Sequence, residues 1–349
     1  MRFGVPFCLV ALVCAASAAG AAECPGNPNA IGTSRVLVVD PTEHARLGTM
    51  QYRETLPLED HEVVLTFDDG PLPPYTKRVL EILASECVKA TYFIIGRMAR
   101  AYPETVRELH AAGHSIGTHS QNHPLSFHRM PLSRAQQEIE DGIASVSAAL
   151  GDAGTVAPFF RIPGLLRADR VETYLASRSL MTWSADFPAD DWRRIRASEV
   201  MHRGLSRIEA KGRGVLLLHD IQPATVIALP GLLRELKKRG FRIVHVEPAS
   251  AKLPKTETTA SQWLLRGSGS ESRLRGTIPL PPIPPQSGPP SGVLEPTDKN
   301  GAPAVPDKDA VARPVRTISV APSTDVTDSI GNNGRWPIST ANVPKTGIP

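Results

Sequence analysis

Between His61 and Val246 the chain alternates between short apolar runs and amphipathic stretches of helical period, without a break. EVVLTF (62–67), KATYFII (89–95), SIGTHS (115–120), APFFRIP (157–163), MTWSAD (181–186), VLLLHD (215–220) and FRIVHV (241–246) read as strands. The stretches 75–88, 103–114, 132–150, 170–179, 197–210 and 229–240 read as helices, the second opened by Pro103 and closed by Gly113. Strands apolar along their whole length must be covered on both faces, and a helix after each strand supplies the cover. The pattern predicts an α/β fold, a (β/α) barrel of about seven parallel strands. In such a barrel, function sits at the carboxyl ends of the strands.

The polar residues gather at those ends. TFDDGP, Thr66 to Pro71, sets Asp68 beside Asp69 just before a Gly-Pro turn, with no basic neighbour. Two adjacent carboxylates call for a cation, or for a base working next to one. THSQNHP holds His119 and His123 four apart, and a helical turn from Ser120 would aim both imidazoles the same way. Two histidines and one aspartate leave coordination positions open, as a catalytic metal site requires. The second aspartate is then free to take a proton from water. Arg161 follows two phenylalanines at another strand end, placed to orient a carboxylate by a bidentate pair. His219 ends the run VLLLH, where a nearby carboxylate would make it a general acid.

In this order, these residues resemble the polysaccharide deacetylases of carbohydrate esterase family 4, over about residues 61 to 247. The carriers are TFDDGP (66–71), HSQNH (119–123) and LLH (217–219). The resemblance implies a distorted (β/α) barrel and an enzyme that hydrolyses N-acetyl groups on a polymer of N-acetylglucosamine, such as peptidoglycan or a chitin-like glycan. It implies Asp68 as general base, and Asp69, His119 and His123 as ligands of a divalent metal, zinc before cobalt or another ion. It further implies Arg161 as the residue orienting the base, His219 as general acid, and Trp192 as an aromatic lining the groove. A backbone N–H near Pro71 is expected to face the oxyanion. The carboxylate tuning His219 is Asp186 or Asp191, and Asp186 is preferred because it ends the predicted strand. Two stretches depart from the family pattern. RIPG puts Gly164 where an aromatic is usual, and DFPADDW is a stretched form of its motif. An esterase or amidase acting on other acylated glycans, such as O-acetyl xylan, and a non-catalytic glycan-binding protein are the competing readings.

The flanks differ from this core. Met1-Arg2 followed by an uncharged apolar run ending in small residues reads as a secretory signal over 1–22, which implies a secreted or periplasmic protein with no membrane span after cleavage. Residues 23–60 form a lead-in, 61–250 the catalytic domain, and 251–349 a tail with 16 of the 33 prolines. That tail, including PLPPIPPQSGPP, has no sustained apolar period and is expected to be disordered. It is read first as a linker, and second as a contact for cell-envelope components. Beyond the signal only Cys24 and Cys87 remain, a possible bridge in an oxidising compartment but no zinc-binding cysteine set. A net charge of +4 is too mild to argue for nucleic acid. His110, His114, His128 and His202 lack partner patterns and are expected at the surface. No feature fixes an oligomeric state.

Overall fold

The computed structural model describes residues 24–264; the expected signal (1–22) and nearly all of the expected tail lie outside them. Ten strands form one sheet: β1 Thr33–Val39, β2 Arg46–Leu47, β3 Glu62–Asp68, β4 Thr91–Ile94, β5 Ser115–Thr118, β6 Phe159–Phe160, β7 Met181–Trp183, β8 Phe187–Pro188, β9 Gly214–His219 and β10 Arg242–Pro248. The helices are α1 Tyr75–Ser85, α2 Gly96–Ala101, α3 Pro103–Ala111, α4 Leu132–Leu150, α5 Asp169–Ser177, α6 Ala197–Lys211 and α7 Pro223–Lys238.

Every strand pairing in the sheet is parallel. β3, β4, β5, β6 and β7 neighbour one another in chain order, β8 pairs with β9, and β9 returns to β3. β7 and β8 are not paired with each other; the chain itself bends across that gap in the ring, so the predicted strand 181–186 is a strand only over Met181–Trp183. Seven strands thus make a distorted barrel, as the alternation implies. β10 pairs with the first residues of β3 and carries β1 on its far side.

Period two divides β3 between two cores. Val63, Leu65 and Phe67 pack outward with Val79 and Leu83 of α1 and Leu229 and Leu232 of α7. Val64 shares the inner cluster with Phe93, Phe159, Met181, Trp183 and Val215. Two boundaries drawn from the sequence move. Leu37, Leu47, Leu56 and Leu58 of the lead-in and Trp263 beyond residue 250 belong to that same inner cluster. Thr256 N donates to Val38 O and Thr55 N to Trp263 O, so 24–60 and 251–264 are parts of the barrel body. RVLVVD (35–40) is legible as a short strand and forms most of β1, but the other apolar residues of these segments are too sparse to show a period, which hid their packing in the sequence.

Cys24 and Cys87 are joined in a disulfide, fastening the lead-in to the end of α1. His114, expected at the surface, is buried, and its Nδ1 accepts the Ala90 amide. α7 begins six residues before the predicted start: Pro223 occupies its first turn, and Pro230 lies inside it.

Candidate active site

Asp68 lies on the inner face of β3 with Val64 and Thr66, directly across from His219 on β9 and Phe93 on β4. Strict alternation would send Asp69 to the opposite face. Instead Asp69 has φ 78°, a left-handed conformation that ends the strand and turns its carboxylate back toward the same space. Both aspartates are buried, and both face His119, whose Nε2 lies 3.7 Å from Asp68 Oδ2 and 3.5 Å from Asp69 Oδ1.

His119 and His123 do converge, by a different device from the predicted helical turn. The segment between them is a loop in which Ser120 and His123 take positive φ (63° and 57°), and the Ser120 hydroxyl accepts the His123 amide. His119 Nδ1 is 2.6 Å from the Arg161 carbonyl, which can only accept, so Nδ1 carries the proton and Nε2 presents its lone pair. Burial, and then the neighbouring His123, hold His119 far below the usual imidazole range, keeping it neutral. His123 Nε2 lies 3.4 Å from Asp69 Oδ1. That oxygen is buried and has no hydrogen-bond partner in the protein. One ligand atom from each of Asp69, His119 and His123 lies within 4.8 Å of the other two. An orphaned carboxylate oxygen converging with two imidazoles fits a divalent cation, and a nitrogen–oxygen donor set suits zinc.

Arg161 is fully buried and reaches Asp68 Oδ1 at 2.6 Å through Nη1, which also donates to Thr66 Oγ1 at 2.9 Å. Its Nη2 donates to the Ser184 carbonyl at 2.8 Å, and its guanidinium lies 4.1 Å over the Phe93 ring. The cation is thus both paired and packed. Burial pushes the Asp68 carboxyl up from its usual range, and Arg161 works against that rise.

The carboxylate on His219 is Asp191, which corrects the preference for Asp186. Asp191 Oδ1 lies 2.8 Å from His219 Nδ1, while Oδ2 accepts the His219 amide at 2.6 Å and the Thr225 hydroxyl. Register gives the reason. β8 pairs Phe187 with Leu216 and Pro188 with Leu217, so Asp186 sits beside Val215, four residues below His219. Asp186 accepts hydrogen bonds from the amides of Thr49 and Val215 and the hydroxyls of Thr49 and Thr55. It fastens the lead-in to the barrel. Burial opposes charge on His219, but the charge and hydrogen bond of Asp191, with Asp69 and Asp68 beyond, raise the imidazole to about 10. Its Nε2 points inward, 3.9 Å from Asp69 Oδ2. Trp192 is 46% exposed, with its ring edge-on to His219 at 5.7 Å, at the rim.

Pro71 follows directly on the aspartate turn. It follows a cis peptide bond, is buried and has no N–H, and the next amide, Leu72, is spent on Thr76 Oγ1 at 2.7 Å. Neither Pro71 nor Leu72 therefore has a free N–H to offer an oxyanion. Sequence reasoning also passed over Asp220, a fully buried carboxyl beneath the aspartate turn. The signal for it was a second acid directly after the strand-end histidine.

The polysaccharide deacetylase family model matches residues 56–182. A chitooligosaccharide deacetylase from Bradyrhizobium sp. is 33% identical over 200 residues, spanning 52% of this chain and 87% of that protein. A peptidoglycan-N-acetylglucosamine deacetylase from Bacillus cereus is 30% identical over 184 residues, 51% of this chain and 66% of that protein. Among solved structures, the peptidoglycan deacetylase of Bdellovibrio bacteriovorus superposes with a TM-score of 0.57 at 30% identity, covering 66% of this chain and 65% of that one. With a relative matched over nearly its whole length and the same fold in a solved deacetylase, the chain belongs to the polysaccharide deacetylase family.

Proposed function

We propose that the protein is an exported, metal-dependent hydrolase that removes N-acetyl groups from an N-acetylglucosamine-containing glycan, with peptidoglycan the first candidate. The observation that carries the reading is that Asp68 and His219, neighbours on paired strands, both border the Asp69–His119–His123 cluster. One is a carboxylate held by an arginine, the other an imidazole held by a carboxylate. The names of the relatives support the glycan class.

A divalent cation on Asp69, His119 and His123, most simply zinc, would polarise the acyl oxygen and make water more acidic. Asp68 has Oδ1 occupied by Arg161, so Oδ2, on the side of the ligand cluster, is the atom that takes the proton from attacking water. The water oxygen bonds to the acyl carbon. The C–N bond then breaks as His219 gives its Nε2 proton to the departing nitrogen, since an amide anion is a very poor leaving group. Asp191 stabilises the imidazolium until that transfer and fixes Nδ1 as the nitrogen that keeps its proton. Acetate and a free amine result. Trp192 offers a wall to a sugar ring at the rim.

The test is acetate release from a panel of acetylated glycans by the purified chain, with chelator and with zinc restored. Peptidoglycan and chitin oligomers are the expected substrates, and zinc should restore activity. Release from acetylated xylan alone would make it an esterase, and release unaffected by chelator would remove the metal from the mechanism.

A further inference from the structure

Asp220 follows His219 at the end of β9, fully buried, and has no role in the chemistry proposed above. Its carboxyl group lies directly against the turn that carries the two aspartates. A Cβ added to Gly70 would meet Asp220 Oδ2 at 2.0 Å and Oδ1 at 2.5 Å, so only glycine fits there. Oδ2 accepts from the Thr76 hydroxyl at 2.5 Å, and Thr76 Oγ1 itself accepts the Leu72 amide at 2.7 Å. An amide can only donate, so the single hydroxyl proton goes to Asp220. The chain of bonds therefore has one direction, from Leu72 amide to Thr76 hydroxyl to Asp220 carboxyl.

The other side of the turn belongs to β4. Asp69 N donates to Phe93 O at 3.2 Å, and Ile95 N donates to Gly70 O at 3.3 Å. The turn is thus held between two strands, by main-chain bonds on the β4 side and by Asp220 on the β9 side. β9 is also the strand that presents His219. Apolar packing would fill the space beneath Gly70 at less cost than a carboxyl group whose Oδ1 is buried without a partner.

We infer that Asp220 and Thr76 are positioning residues that lock the Asp68–Asp69 turn to the strand ending in His219. They set the spacing between the cation cluster and base on one side and the acid on the other. The roles of those three groups rest on the proposed function; the lock itself rests on the contacts.

The test uses the full chain with Thr76→Val, which keeps the shape and removes the hydroxyl, and Thr76→Ser, which restores it. Zinc affinity is measured by competition with a chelating dye, alongside kcat, KM and thermal unfolding. Groups behind a ligand typically govern metal affinity or activity by about 10–100-fold. Thr76→Val is expected to weaken zinc by about tenfold or more and to lower kcat with KM little changed, while Thr76→Ser stays within about twofold of the parent. Asp220→Asn, which keeps an acceptor for Thr76, is expected to retain more zinc affinity than Asp220→Ala. A Thr76→Val protein that is less stable but matches Thr76→Ser in zinc affinity and kcat overturns the inference. A parent chain that binds no zinc defeats the proposed function as well, a result plainly distinct from the first.

Discussion

His219 and Asp191 are joined twice: Nδ1 of the ring lies 2.8 Å from one carboxylate oxygen, and the main-chain amide of the same histidine donates to the other at 2.6 Å. The ring is therefore fixed in orientation as well as in charge. With its imidazole raised to about 10, His219 is protonated at neutral pH, as the general-acid role proposed for it requires.

Asp191→Asn removes the charge and keeps the shape. The basic limb of the kcat–pH profile, which reports loss of the His219 proton, should then move to lower pH. Activity should fall by roughly 10²–10⁴-fold, the usual range for a general acid. The linkage has a definite sign. A histidine raised above its unfolded value of about 6.5 lends stability that is fully present below that pH and is lost as pH rises through about 10. In Asp191→Asn this alkaline loss should shrink, which denaturant titrations between pH 6 and 10 would detect, whereas an unchanged limb would remove Asp191 from the acid.

Asp186→Asn should behave in the opposite way. Its four hydrogen bonds tie Thr49, Thr55 and Val215 together, far from the reacting groups. Loss of a buried, multiply bonded carboxylate should cost about 3 kcal/mol in unfolding free energy, while the basic limb stays in place. Chemical denaturation and the pH profile, run on the same preparation, separate the two aspartates.

That pair also shows where the sequence stopped being readable. The barrel was visible because strand and helix periods are properties of neighbours in the chain. Asp68, Asp69, His119, His123, Arg161 and His219 were visible because each closes an apolar run or a short motif. Which carboxylate meets His219 depends on the register of β8 against β9, set by a two-residue strand after a bend. No local period encodes it. The same limit applies to Asp69, whose left-handed φ cancels the alternation that would have separated it from Asp68. It applies also to Gly70, whose lack of a side chain is explained only by Asp220, 150 positions later.

Arg161→Met should strand a buried carboxylate. Burial already pushes Asp68 upward, and Arg161 is the chief opposing influence, so the acid limb of the profile should move to higher pH. Breaking a buried pair from one side costs about 3–5 kcal/mol, and the variant should unfold correspondingly earlier. Arg161→Lys keeps the charge but cannot bond Asp68, Thr66 and Ser184 together, so it should fall between parent and Met. An acid limb unmoved in both variants would show that Arg161 does not set the state of the base.

Asp68→Asn and Asp69→Asn should divide the functions of the adjacent pair. The first is expected to keep zinc within about tenfold of the parent while acetate release falls by about 10²-fold or more. The second should lose zinc affinity itself, because Asp69 Oδ1 is the oxygen flanked by His119 and His123. Equilibrium dialysis against zinc, with no substrate present, reads the difference directly. Equal loss of zinc in both would assign Asp68 to the cation as well.

Trp263 gives the last prediction, and it concerns where the folding unit ends. Its ring is 3% exposed, stacks on His44 with centroids 3.4 Å apart, and belongs to the inner cluster with Leu47, Leu56 and Leu58. Its carbonyl accepts the Thr55 amide, so lead-in and C-terminal segment hold each other in place. A fragment of residues 61–250, the domain the sequence marks out, would lack these side chains and the β1 strand that covers β10. It should be unfolded or aggregated, while a fragment of 24–264 should show one cooperative transition. Trp263→Ala in the longer fragment should cost about 3–5 kcal/mol, the range for an emptied aromatic site in a core. A folded 61–250 fragment with native zinc affinity would mean that the inner cluster is complete without either flank.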